Sequence, residues 1–157
     1  LGEGEERALL EREYLSLDAV HEHLVTVASS LAQAAATDDA VDAQYPVIVG
    51  TSVQGRPIRA MCIGACGNSS APSAFFNALI HAREPMTLSV LVAFVDEMVA
   101  KYASGDLAHT ALLRNRQLWL VPIIVRPVWD PHHPPRRVAA WRGAYVLHLP
   151  SASPRTA

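Results

Sequence analysis

Ala74-Phe75-Phe76-Asn77-Ala78-Leu79-Ile80-His81-Ala82-Arg83-Glu84-Pro85 is the stretch on which the fold turns. Residues 74–80 are a short, mostly apolar run, the pattern of a strand buried on both faces. Pro85 suits the first turn of a helix, where its missing amide hydrogen costs nothing. Beyond it Leu88, Leu91, Val92, Val95, Met98 and Val99 recur on one side, which predicts a helix over 85–103. Gly105 stands where such a helix stops. Residues 117–125 form a second continuous apolar run and a second buried strand. Strand, helix and strand in this order make a right-handed parallel crossover the default.

Working outward, residues 18–36 carry Val20, Leu24, Val27 and Leu31 at helical spacing and end in an alanine-rich run. Residues 45–50 and 57–63 read as two strands of a hairpin turned at Gln54-Gly55, and residues 64–72 as loop. The expected fold class is α/β: an incomplete α/β/α sandwich around a mixed, partly parallel sheet. Such a sheet exposes a strand edge and apolar faces, so poor solubility of the isolated chain is expected.

The 157 residues, 17.0 kDa, suit one domain, and a chain that is 50% hydrophobic and 18% charged is not disordered throughout. A net charge of −2 argues against a nucleic-acid partner for the whole chain. No apolar run is long enough to span a bilayer. The first residues, Leu1-Gly2-Glu3-Gly4-Glu5-Glu6, are acidic, unlike a secretory leader. Because the chain opens on Leu1, the true N-terminus and any targeting segment are expected upstream. The compartment is left open, with a secreted or vacuolar/lysosomal location as the alternative if a leader is missing. Cys62 and Cys66 are too few for a disulfide scaffold or a zinc ribbon, and read as small hydrophobes in or beside a strand.

Charge and proline are unevenly placed. Residues 126–157 hold five arginines against one acid, and six of the eleven prolines. Such a stretch cannot continue a regular helix or central strand for long. The boundary is therefore placed at Val125/Arg126, with a poorly ordered Pro/Arg-rich tail beyond it.

His81 and Glu84 stand three apart where a buried strand gives way to a helix, the usual place for ligands in open α/β sheets. An imidazole nitrogen and a carboxylate suit zinc, and a catalytic zinc takes three protein ligands plus water. The spacing alone also fits an exposed histidine beside a helix N-terminal glutamate favoured by the macrodipole. With seven His and eight Glu in the chain, such a pair arises readily by chance.

The surrounding residues tip the balance. The run from Ala74 to Pro85, with His81-Ala82-Arg83-Glu84 at its strand end, resembles the zinc-binding segment of metallocarboxypeptidases of the carboxypeptidase A/B type. Ile48-Val49-Gly50-Thr51-Ser52-Val53-Gln54-Gly55-Arg56-Pro57-Ile58 is similar to the hairpin that precedes that segment in the family. Residues 14–31 look like its first helix, and residues 107–124, ending Leu120-Val121-Pro122-Ile123-Ile124, like the next helix and strand. The likeness covers roughly 14–124, in order and at plausible spacing, and several motifs together are more specific than one. It implies one zinc ion held by His81 and Glu84, and peptide substrate contacted by Arg83 near the scissile bond. The implied reaction is release of a C-terminal amino acid from peptides or proteins. Zinc would lower the pKa of a bound water, and a glutamate would act as general base.

The chain departs from the family pattern after Ile124. Val125-Arg126-Pro127-Val128-Trp129-Asp130 stands where the family continues Asn-Pro-Asp-Gly. The family's domain is also about twice as long, so its third zinc ligand, general base and substrate-covering tyrosine fall beyond Ala157. Residues 14–125 are thus expected to be the N-terminal half of a zinc carboxypeptidase-like domain, catalytically incomplete, and 126–157 a non-family tail. His148, after Ala144-Tyr145-Val146-Leu147, is a weak candidate for a substitute ligand; His132 and His133 read as solvated, and His21, His23 and His109 as surface histidines. Two other functions compete. One is a non-catalytic module that binds peptides or proteins; the other is a related zinc amidohydrolase using the same His-x-x-Glu pair.

Overall fold

The computed structural model describes residues 17–52, 55–81 and 84–124. Tyr14, Gln54, Arg83, Val125 and the whole of 126–157, with His132, His133 and His148, lie outside them.

The chain runs α1 (Leu17–Ala34), β1 (Asp42–Thr51), β2 (Pro57–Gly64), β3 (Ser73–Asn77), α2 (Pro85–Ala103), α3 (Leu107–Asn115) and β4 (Gln117–Val121). The strands form one mixed sheet in the order β1-β2-β4-β3. β1 and β2 pair antiparallel, with Asp42 opposite Gly64 and Thr51 opposite Pro57, so the predicted hairpin is present. β2 and β4 are also antiparallel, with Gly64 opposite Gln117. β3 and β4 are parallel, with Ser73 opposite Gln117 and Asn77 opposite Val121. The crossover through α2 and α3 therefore yields the parallel pair that the apolar runs predict.

Alternation along β2 and β4 sorts their side chains onto two faces. Met61, Ile63, Leu118 and Leu120 face a core shared with Val20, Leu24, Val27 and Leu31 of α1 and the apolar stripe of α2. Leu113 of α3 joins the same core. On the opposite face Val49, Ile58, Ala60, Cys62, Trp119, Val121 and Ile124 form a second cluster. Burial on both faces is why β2 and β4 read as continuous apolar runs rather than alternating ones. Among the described residues the three helices cover one face only, as expected of an incomplete sandwich.

Three expectations shift. Residues 74–80 do not form a strand buried on both faces. The ladder covers Ser73–Asn77, where exposed and half-buried residues alternate: among the described residues β3 pairs on one side only and the helices cover one of its faces. Ala78 still donates its N–H to the Val121 carbonyl at 3.0 Å, but Leu79 turns away with φ +49°. β4 ends at Val121 rather than 125, since Pro122 brings no amide to the ladder. The helix read over 18–36 closes at Ala34, and turns then carry the chain through Asp38 into β1.

The cysteines differ as well. Cys62 and Cys66 form a disulfide, with Cα atoms 6.1 Å apart. Gly64, at φ +100°, reverses the chain between them. A Cβ there would sit 2.4 Å from the Arg116 carbonyl oxygen and 2.8 Å from that of Leu113, so only glycine fits. No described helix is long and apolar enough to cross a membrane.

Candidate metal centre

Past the last β3–β4 hydrogen bond the chain meets two demands at once. Leu79 is 1% exposed, so its N–H is shielded from water after the ladder has ended. The Thr87 hydroxyl, from the first turn of α2, accepts that N–H at 3.0 Å. The same hydroxyl donates to the Glu84 carbonyl at 2.7 Å. Glu84 in turn donates its N–H to the His81 carbonyl at 3.1 Å, which closes a turn over residues 81–84. His81 and Glu84 are thus the two ends of one hydrogen-bonded turn, and both are exposed. Glu84 is also the N-cap residue of α2, yet its carboxylate makes no capping hydrogen bond. Pro85 follows as the first helical residue, as its fixed φ favours.

An imidazole nitrogen and a carboxylate oxygen are a donor set suited to zinc. Both residues are exposed and lie past the C-terminal end of a parallel strand, joined by the backbone bond between them. Among the described residues no group of three or more His, Cys, Asp or Glu is placed to hold a metal ion. His81 and Glu84 are the two candidate donors here, and Arg83, between them in sequence, lies outside the described residues.

The other described histidines are engaged elsewhere. His21 contacts the Tyr45 hydroxyl, and His23 Nε2 lies 2.7 Å from Asp96 Oδ1, tying α1 to α2. His109 Nδ1 is 2.7 Å from Asp106 Oδ1, and that carboxylate also accepts the His109 N–H at the start of α3. The His109 hydrogen bonds hold the Asp106 carboxyl below its ordinary range. In the sequence these three read as surface histidines; their partners lie far off in the chain or in the cap, where spacing does not show them.

At the opposite end of the sheet, beside Asp42 and Gly64, Asp38, Asp39, Asn68 and Arg114 line a cleft of about 520 Å³. Asp38 is already engaged there. It accepts from Arg114 Nε and the Tyr102 hydroxyl, both at 2.8 Å, and the Arg114 bond keeps its carboxyl below the usual range. Burial, helped by Asp38, raises Tyr102 to about 12. This network ties the entry of β1 to α2 and α3 and stands apart from the His81–Glu84 turn. Sequence reasoning gave it no role, and gave none to Thr87 either; a hydroxyl at the third helical position was the available signal.

The profile of the family described as Zinc carboxypeptidase matches residues 35–124. No protein of curated function gives a significant match. Among solved structures, thrombin activatable fibrinolysis inhibitor is similar at 19% identity and a TM-score of 0.53, over 70% of this chain and 25% of that one. A Burkholderia mallei protein assigned as a carboxypeptidase is similar at 21% identity and a TM-score of 0.51, over 71% of this chain and 26% of that one. At these identities the likeness is one of fold. The chain spans about a quarter of the length of these structures.

Proposed function

From the premise that this chain belongs to the zinc carboxypeptidase family, matched over residues 35–124, we propose that His81 and Glu84 are two of its zinc ligands and that it derives from a metallocarboxypeptidase acting on peptide C-termini. The observation that carries this reading is the turn over 81–84. It puts an imidazole and a carboxylate, both exposed, at the two ends of a single hydrogen-bonded reversal past a parallel strand. When bound, zinc supplies Lewis acidity and a water of lowered pKa. The chain's own part is narrower: His81 offers a nitrogen lone pair and Glu84 an anionic oxygen. Arg83, between them in sequence, offers a guanidinium suited to a peptide carbonyl or carboxylate.

A catalytic zinc site needs a third protein ligand, and the described residues hold no three-donor group. Two donors from one turn bind more weakly than three, and hydrolysis also needs a general base. We accordingly place residues 14–125 as the family-like segment, ending one residue past the matched span, and assign the present chain weak zinc binding without peptidase turnover.

Titration calorimetry with zinc on the 157-residue chain tests the assignment. His81→Ala and Glu84→Gln should each weaken binding about tenfold or more. Unchanged affinity in both variants would overturn it. Release of C-terminal amino acids from peptides by the purified chain would overturn the claim of catalytic incompleteness.

A further inference from the structure

We infer that Thr87 is the positioning residue of the His81–Glu84 pair: its hydroxyl ties the turn that carries both donors to the end of β3. The inference rests on the proposed zinc reading and adds to it how the pair is held before an ion arrives.

A hydroxyl has one hydrogen to donate and lone pairs to accept with. Thr87 uses both. It donates to the Glu84 carbonyl, three residues back, a bond any threonine near a helix start can make. The bond it accepts, from Leu79 N–H, reaches eight residues back across the turn and is not a local habit of helix starts. Leu79 lies two residues before His81, buried and in the left-handed region, a conformation a leucine keeps only when its surroundings hold it. The hydroxyl thus pins the chain on the His81 side and on the Glu84 side. The Glu84 N–H to His81 carbonyl bond closes the remaining span. Because the Glu84 carboxylate takes no part in capping α2, the turn is fixed by backbone bonds and one threonine, and both donor side chains stay available. Groups that orient metal ligands from behind typically govern affinity by tenfold to a hundredfold.

The test uses the 157-residue chain and zinc alone as the probe. Thr87→Val keeps the shape and removes the hydroxyl; Thr87→Ser keeps the hydroxyl. Calorimetric zinc affinity should fall about tenfold or more in Thr87→Val and stay within about threefold of wild type in Thr87→Ser. Without metal, amide exchange should find Leu79 N–H protected in wild type and Thr87→Ser, and exposed in Thr87→Val. A lower melting temperature in Thr87→Val with unchanged zinc affinity would overturn the inference, as would equal losses in both variants. If Thr87→Val does not fold, an unprotected Leu79 amide in wild type, or a Thr87→Ser chain that has lost affinity, overturns it. Wild type binding no better than His81→Ala would instead bring down the zinc reading, and the inference with it. Binding that needs His81 and Glu84 but not the Thr87 hydroxyl brings down the inference alone.

Discussion

Among the described residues β1 and β3 are the two outer strands of one sheet, and they differ in kind. β1 runs ten residues, Asp42–Thr51, and its ladder is interrupted twice, between Gln44 and Val47 and between Ile48 and Gly50. It also contains Pro46, which lacks an amide hydrogen. Irregular pairing and proline are standard means of making an edge a poor template for another strand. β3 has five residues, Ser73–Asn77, with neither proline nor charge, and pairs regularly with β4. Phe76 packs against Phe94 of α2 at 5.1 Å between ring centroids, while Phe75 on the other face is 37% exposed. The difference teaches where the candidate site gets its shape. The blunted edge is long and irregular, whereas the plain edge ends early and hands its chain to the turn that carries His81 and Glu84.

Gly64 is the sharpest place to break this arrangement, since it pairs with Asp42 of β1 on one side and Gln117 of β4 on the other. Gly64→Ala forces a Cβ against two carbonyl oxygens at a positive φ and should cost about 3 kcal/mol, read as a lower urea midpoint. A change under about 0.5 kcal/mol would show that the two sides of the sheet are not joined there as described.

Asp38 supports the β1 end alone. Asp38→Asn should cost about 1 kcal/mol at neutral pH and leave zinc affinity unchanged, since the turn over 81–84 sits at the far end of the sheet. The pH dependence has a definite sign. The Arg114 hydrogen bond holds the Asp38 carboxyl below the usual carboxylate range, so its contribution is present above about pH 4 and lost as pH falls through the folded value. Tyr102, raised from 10.0 to about 12, acts in the opposite direction. Its contribution is present below about pH 10 and fades as pH rises toward 12. Urea midpoints of wild type and Asp38→Asn should therefore converge in acid, and parallel curves down to about pH 2 would refute this.

The smallest effect on stability belongs to Phe75→Lys, within about 0.5 kcal/mol, because the side chain is already partly in water. Its effect on association should be plain. A charge on the unblunted edge should raise the monomer fraction seen by sedimentation. No change would mean that β3 is not where copies of the chain meet.

Much of the fold was legible because several elements advertise their burial. Pro85 and Gly105 marked the limits of α2 and the stripe from Leu88 to Val99 its buried face, as Val20 to Leu31 marked the core face of α1. The parallel pair followed from two apolar runs flanking a helix. The run from Ala74 to Ile80 misled because a continuous apolar segment looks the same whether sheet lies on both sides or one. Nothing local marks Ala78 as the last residue to bond β4. The disulfide escaped because spacing alone does not reveal the reversal at Gly64. At the site, residue type and spacing singled out His81 and Glu84. Thr87 stayed hidden because its partner, Leu79, is engaged only once the chain has left the sheet.

The parallel register of β3 on β4 also bears on the order of assembly. The β1–β2 hairpin joins residues close in sequence, while Asn77 must find Val121 across α2 and α3. Closing the longer loop is slower and entropically dearer, and its contacts help only once both helices are in place. The hairpin is thus expected to form early and the β3–β4 pair late. Asn77, from which the chain leaves the sheet toward His81 and Glu84, is thus anchored only once β4 has emerged and both helices are in place.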